Sequence, residues 1–76
     1  MERAFVCVST ENSAIPSVMQ KIKAVKGVEQ VEMVQGDYDV CFKVISETFE
    51  GLKTTINERI RKIDNVRNTL TTILTN

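Results

Sequence analysis

Two carboxylates near the middle of the chain are the first candidates for chemistry. Asp37 and Asp39 could form an acid and base pair, although Asp in a turn most often accepts hydrogen bonds from nearby backbone N–H groups. The chain has no His, so the acyl-transfer triads are excluded. Its three glycines are scattered and do not form a phosphate-binding loop. These residue types argue against an enzyme.

Cys7 and Cys41 are the other reactive side chains. Each lies inside an apolar run, which favours two buried free thiols in a reducing cytosol over a redox pair. A metal site has little support because His is absent and two cysteines are too few to form a ligand set. We therefore expect free cysteines, no metal and no cofactor.

The charge and hydropathy of the chain exclude several partners. Ten basic and ten acidic residues give a net charge of zero, which leaves no surplus of positive charge for direct nucleic-acid binding. No apolar run approaches the roughly 20 residues that cross a bilayer, and no signal peptide is visible. We expect one cytoplasmic domain over residues 1–76, small enough that a partner subunit would supplement its stability.

The first half of the chain predicts a strand followed by a helix. The strand, 3–9, is apolar on both parities, as central strands are. Asn12 and Ser13 are candidate N-caps of the helix, and Pro16 suits its first turn. Gly27 is expected to close the helix, because glycine tolerates the left-handed cap position.

A hairpin is predicted in the middle of the chain. Strands over 28–35 and 38–45 are separated by Gly36 and Asp37, a residue pair typical of tight turns. Its position makes it the junction between two similar β-α halves.

The second half predicts a helix and a last strand. Ser46 is the candidate N-cap, 64–65 ends the helix, and 66–75 forms the strand. The apolar stripe of this helix comprises Phe49, Leu52, Ile56, Ile60 and Ile63.

The order β-α-β-β-α-β predicts an α+β fold of the ferredoxin-like type. Two right-handed β-α-β units joined by a hairpin interleave into a four-stranded antiparallel sheet with both helices on one face. The other face is left bare. Because the first and third strands are apolar on both parities, we expect this bare face to pack against a second copy in a homodimer.

Three stretches of the chain carry a resemblance to a known family. They are VKGV at 25–28, VQGDYD at 34–39, and the stretch that runs from IDNV at 63–66 to TLT at 69–71. Together they resemble the effector-binding, or RAM, domain of the Lrp/AsnC transcriptional regulators, over essentially the whole chain. Asn65 departs from the pattern, since the family usually has Gly there. The winged helix-turn-helix of full-length members is also missing, which predicts a stand-alone sensing domain.

The resemblance implies a dimer formed through the sheets, assembly of dimers into an octamer or decamer, and a small effector, commonly an amino acid, held between dimers near the hairpin. Asp39 would accept a hydrogen bond from the ammonium group of the effector, and Gly36 would let the effector approach the backbone. The same two residues also suit a simple turn. The predicted ligand-binding residues are Gly36, Asp37, Tyr38, Asp39, Thr69 and Thr71.

Three functions remain open from the sequence. The first is an amino-acid sensing and oligomerisation module linked to transcription regulation, which acts by co-assembly with full-length Lrp/AsnC-type regulators or other proteins. The second is a purely structural oligomerisation domain. The third is a regulatory subunit of an amino-acid metabolic enzyme, against which the loop 10–13 argues because it lacks the Asp-x-Pro-Gly of ACT domains.

Overall fold

The computed structural model describes residues 1–75, which form a four-stranded antiparallel sheet with helices on one face. The predicted element order and the ferredoxin-like fold are confirmed. The elements are β1 (Glu2–Thr10), a short 3₁₀ turn (Asn12–Ala14), α1 (Ile15–Lys23), β2 (Val28–Met33), β3 (Val40–Ser46), α2 (Phe49–Thr54) with a π-helical continuation (Thr55–Ile60), and β4 (Val66–Leu74).

The two strands that are apolar on both parities, β1 and β3, form the centre of the sheet, whose strand order is β2-β3-β1-β4. Alternate residues of each strand face the helices and are fully or almost fully buried. The core consists of Ala4, Val6 and Val8 from β1, Val40, Phe42 and Val44 from β3, Val18 and Ile22 from α1, and Leu52, Ile56 and Ile60 from α2 and its continuation.

The start of α1 differs from the prediction. Asn12 and Ser13 lie in the 3₁₀ turn, and the N-cap position of α1 is held by Ala14, with no side-chain cap hydrogen bond. Pro16 occupies the first turn, as predicted. The helix also ends earlier than expected, at Lys23.

Gly27 lies in the connection between α1 and β2 and has a φ of 90°. Its carbonyl oxygen accepts a hydrogen bond from the N–H of Ile45 at 2.8 Å. A Cβ at position 27 would lie 2.7 Å from the carbonyl oxygen of Ile45. Both the backbone angle and this close approach to β3 therefore require glycine.

The second helix is capped by Thr48, which corrects the expectation for Ser46. The Oγ1 of Thr48 accepts a hydrogen bond from the N–H of Gly51 at 3.0 Å. Ser46 instead accepts from the N–H of Thr48 at 3.4 Å, before the helix begins. Phe49 was also placed wrongly on the buried stripe, since it stands in the first turn beyond the edge of the core and is 48% exposed.

The helix widens into π winding over its second half, with the N–H of Arg61 donating to the carbonyl oxygen of Ile56 at 3.0 Å. Leu52, Ile56 and Ile60 are spaced by four residues, which overshoots the 3.6-residue α turn. A π turn holds more residues per turn and undershoots the same spacing. Combining the two keeps this row of side chains facing the sheet.

Asn65 precedes β4 in the left-handed conformation, with a φ of 74°. Asn tolerates this conformation better than other non-glycine residues. The departure from the Gly of the resembled family is therefore compatible with the backbone at this position.

The two edges of the sheet differ. The register of β2 against β3 shifts between Glu29 and Glu32, and Gln30 in this bulge has a φ of 56°. By contrast, β4 pairs with β1 in steady register from Leu74 to Asn68.

Cys7 and Cys41 are bonded to each other, which corrects the expectation of free thiols. They are direct partners in the register of β1 and β3, with Cα atoms 4.1 Å apart. Both lie on the sheet face that points away from the helices, which we call the open face. The apolar runs around them indicated burial but could not show that the two residues stand opposite each other.

No helix within residues 1–75 is long and apolar enough to span a membrane.

Replacing Gly27 with Ala tests the tie between α1 and β3. Gly36→Ala is the matched control, because Gly36 also has a positive φ, of 142°, but a Cβ there meets no atom within 4 Å. We expect Gly36→Ala to lower the free energy of unfolding by about 1–2 kcal/mol and Gly27→Ala by about 3 kcal/mol or more. Urea unfolding measures both. Equal losses would contradict the steric argument.

Candidate ligand-binding site

The connection between β2 and β3 is longer than the tight turn that the sequence predicted. Strand β2 ends at Met33 and β3 begins at Val40, so residues 34–39 form a loop. The N–H of Val34 donates to the carbonyl oxygen of Asp39 at 2.9 Å and closes this loop at its base. We call it the central loop.

Asp39 ties the central loop to the end of β1 through two hydrogen bonds. Its N–H donates to the carbonyl oxygen of Val8 at 2.9 Å. Its Oδ2 accepts from the N–H of Thr10, also at 2.9 Å. Within residues 1–75, its Oδ1 forms no hydrogen bond. One carboxylate oxygen is therefore used by the fold while the other is available to a ligand.

A pocket of about 440 Å³ lies between the central loop and the start of α1. Its wall combines apolar side chains with amide groups and a single carboxylate, the mixture that is typical of small-molecule sites. The lining residues are Asn12, Ile15, Met33, Val34, Gln35, Gly36 and Asp39.

The structure brings some of the predicted site residues to this pocket and leaves others outside it. Gly36 and Asp39 line it. Asp37 and Tyr38 lie on the same loop but are not part of the wall, with Asp37 exposed and Tyr38 half-buried.

Thr69 and Thr71 are separated from the pocket in a single copy of the chain. Both lie on β4, where Thr69 pairs with Val8 and Val8 pairs in turn with Val40. Two strand spacings of about 4.8 Å therefore stand between the backbone of β4 and that of β3. The threonines and the central loop could contribute to one site only if different copies meet.

The sequence prediction missed the contributions of the first loop and of α1. Asn12 and Ile15 line the pocket, and Thr10 holds Asp39 in place. The hydroxyl Oγ1 of Thr10 is buried and has no hydrogen-bond partner among residues 1–75. Local patterns mark these residues as parts of a strand or helix, and only the tertiary fold brings them beside the central loop.

The arrangement suits binding rather than covalent chemistry. Asp39 supplies an acceptor for a cationic group, and the N–H of Gly36 makes no backbone hydrogen bond within the described part of the chain, so it can donate to an anionic group. No cluster of three or more potential metal ligands occurs in residues 1–75.

A ferredoxin-like sheet with a mixed polar and apolar pocket at its central loop is compatible with a small ligand-binding domain. Residues 3–76 match the model of the Lrp/AsnC ligand binding domain, and the chain belongs to this family. The predicted resemblance is confirmed.

Similar proteins include regulators and solved structures. An uncharacterised HTH-type transcriptional regulator of Pyrococcus abyssi is 29% identical over 72 residues, which cover 95% of this chain and 46% of that protein. The chain thus spans about half the length of the curated relatives it matches. The crystal structure of FFRP-DM1 is 33% identical, with a TM-score of 0.93 over 99% of this chain and 100% of the other.

A third similar structure contains a ligand. It is a feast or famine regulatory protein from M. tuberculosis complexed with L-methionine, 26% identical, with a TM-score of 0.81 over 100% of this chain and 51% of that one.

Substitutions at Asp39 separate its structural contribution from its charge. Asp39→Ala removes the acceptor for the N–H of Thr10 and should lower the free energy of unfolding by about 1–2 kcal/mol. Asp39→Asn keeps an acceptor oxygen and should cost less than half as much. Chemical denaturation of the three proteins measures the difference, and an equal loss in the two variants would show that the hydrogen bond to Thr10 is not what stabilises the loop.

Proposed function

We propose that this chain is a regulatory module that senses a small metabolite, foremost an amino acid, and acts in transcription regulation through assembly with other subunits. The observation that carries the proposal is the pocket at the central loop, where Asp39 is held by the fold through Oδ2 and presents its other oxygen. A pre-positioned carboxylate loses little freedom when it binds a cation, which favours recognition.

The pocket matches the three parts of an amino acid. The ammonium group donates to Oδ1 of Asp39, and the carboxylate accepts from the N–H of Gly36. Ile15, Met33 and Val34 offer an apolar wall to the side chain. We infer that the preferred effector has an apolar side chain, since the wall offers no charged group besides Asp39 that could pair with a charged side chain of the effector.

The relative complexed with L-methionine supports this inference, because an amino acid with an apolar side chain is bound by a protein that shares this fold and 26% of its residues. We propose no catalytic role, since the pocket wall has one carboxylate and no His or Cys to act with it.

The open face supports the proposal of a homodimer. Phe5 and Leu70 are each 48% exposed there. Leu70 is the register partner of Cys7, and Phe5 lies two residues before Cys7 on β1. A second copy placed on this face would remove these side chains from water, which is favourable. Association of dimers into an octamer or decamer, with Thr69 and Thr71 brought to the pocket of another copy, extends the proposal.

We also propose assembly with longer proteins that contain a domain of the same family. The chain matches about half of each curated relative, and we propose that it co-assembles with full-length Lrp/AsnC-type regulators through the same surfaces. Its net charge of zero favours contact with protein partners over direct contact with DNA. An effector that binds between subunits would shift the assembly by its differential affinity for the two states. A cytoplasmic location stays a prediction.

A pair of phenylalanine substitutions tests the dimer. Phe5→Asp places a charge on the open face, whereas Phe49→Asp places the same charge at an equally exposed Phe at the start of α2. We expect light scattering at micromolar concentration to show a dimer or larger assembly for the wild type and Phe49→Asp, and a monomer for Phe5→Asp. A monomeric wild type, or dissociation by both variants alike, would contradict the proposed interface.

Thermal melting against each of the twenty amino acids tests the sensing function. A ligand that binds only the folded state at a hundredfold excess over its Kd adds about 2.7 kcal/mol. For a chain of this size that corresponds to a rise in Tm of roughly 10 °C or more. We expect such a rise for one or a few apolar amino acids.

Asp39→Asn provides the control for the melting experiment, because it keeps an acceptor for Thr10 and removes the charge offered to the ligand. The affinity of this variant for the amino acid should be about tenfold or more below that of the wild type, since a hydrogen bond to a charged group is lost. If no amino acid raises Tm while the dimer forms, the chain is a structural oligomerisation domain. If the wild type and Asp39→Asn respond equally, Asp39 does not contact the effector.

A further inference from the structure

Thr10 ends β1 and is the only buried polar residue in the described part of the chain, with 8% of its surface exposed. Its hydroxyl oxygen Oγ1 is shielded from solvent and has no hydrogen-bond partner within residues 1–75. The buried positions before it on the same strand hold Val6 and Val8. Valine has the shape of threonine without the hydroxyl, so a valine at position 10 would fill the same space and avoid the cost of an unpaired polar group. The hydroxyl therefore calls for a partner from outside the chain.

This hydroxyl borders the carboxylate of the ligand pocket. The N–H of Thr10 donates to Oδ2 of Asp39 at 2.9 Å, and Oγ1 is joined to that nitrogen through only two carbon atoms. It therefore lies beside the carboxylate whose other oxygen, Oδ1, is offered to the ammonium group of the effector. Asn12 lines the pocket two residues further along the chain and is exposed. Its side chain makes no hydrogen bond within the described residues, so it can turn aside as a ligand enters.

We propose that the hydroxyl of Thr10 is a second acceptor for the ammonium group of the effector and makes the site selective for primary amines. This inference rests on the proposed function and adds a specificity-determining residue to it. A primary ammonium group carries three N–H donors, so it can donate to Oδ1 of Asp39 and to Oγ1 of Thr10 at the same time. Hydrogen bonds of a charged donor are strong, above all where water is excluded.

Selectivity follows from the burial of the hydroxyl. A ligand that cannot donate to Oγ1 leaves this oxygen unpaired inside the complex, and a site with an unpaired buried polar group discriminates strongly against such a ligand. An amine with a single N–H can satisfy Asp39 or Thr10 but not both. We therefore expect the site to prefer a primary amine over a tertiary amine of the same charge.

Thr10→Val and Thr10→Ser test the proposal in the assembled protein. Valine keeps the shape of the side chain and removes the acceptor, whereas serine keeps the acceptor. The probes are L-methionine, L-leucine, L-isoleucine and L-phenylalanine, each titrated into the wild type and both variants by calorimetry. For the amino acid that the wild type binds most tightly, we expect the affinity of Thr10→Val to be about tenfold or more below that of the wild type. Thr10→Ser should stay close to the wild type.

The N,N-dimethyl derivative of the same amino acid separates direct contact from a change in the fold. It keeps the positive charge but has a single N–H, so it can donate to only one of the two acceptors. The wild type and Thr10→Val should therefore bind it with equal affinity. A variant that merely distorted the pocket would lose affinity for both ligands alike, and that result would overturn the proposal.

Thermal melting without any amino acid gives a second readout. Removal of an unpaired buried hydroxyl should raise the Tm of Thr10→Val by about 4 °C or more. A Tm below that of the wild type would show that the hydroxyl is paired within the fold, through ordered water, and would overturn the proposal. Wild-type affinity of Thr10→Val for the amino acid would overturn this inference alone. If the wild type binds none of the four amino acids, the proposed function fails together with it.

Discussion

The antiparallel register between β1 and β3 determines most of what surrounds it. Because Val6 pairs with Phe42 and Val8 with Val40, the buried side chains of both strands fall in rows on one face and meet both helices. The same register puts Cys7 opposite Cys41 on the other face. A slip by one residue would exchange the two faces, exposing the core and burying the cysteines.

The central loop continues this register into the ligand pocket. The next hydrogen bond beyond the ladder joins the N–H of Asp39 to the carbonyl oxygen of Val8. At the same end of β1 the register against β4 shifts between Ser9 and Thr10, and the N–H of Thr10 finds its acceptor in the carboxylate of Asp39. A buried N–H needs a partner, so the pocket carboxylate is positioned by the requirements of the sheet itself.

The periodicity of the chain was sufficient to predict the element order, the central strands and most of the core, because these depend on residues that are close in sequence. The predictions of a tight turn and of an N-cap at Ser46 were wrong. Asp39 and Thr48 make the hydrogen bonds that shape the loop and cap the helix, and residue type alone does not distinguish them from their polar neighbours. The disulfide and the distance of Thr69 from the central loop depend on strand pairing between distant segments. They could be known only once the register was known.

The contrast between the two edge strands bears on how the chain avoids uncontrolled aggregation. The bulge at Gln30 interrupts the row of unpaired backbone groups along β2, and the charges of the flanking glutamates disfavour the approach of another strand. This edge is therefore a poor template for strand addition. The edge of β4 is long and regular. Two sheets that joined through β4 would present only β2 at both outer edges, so growth by strand addition would stop at a pair and could not continue into a fibre.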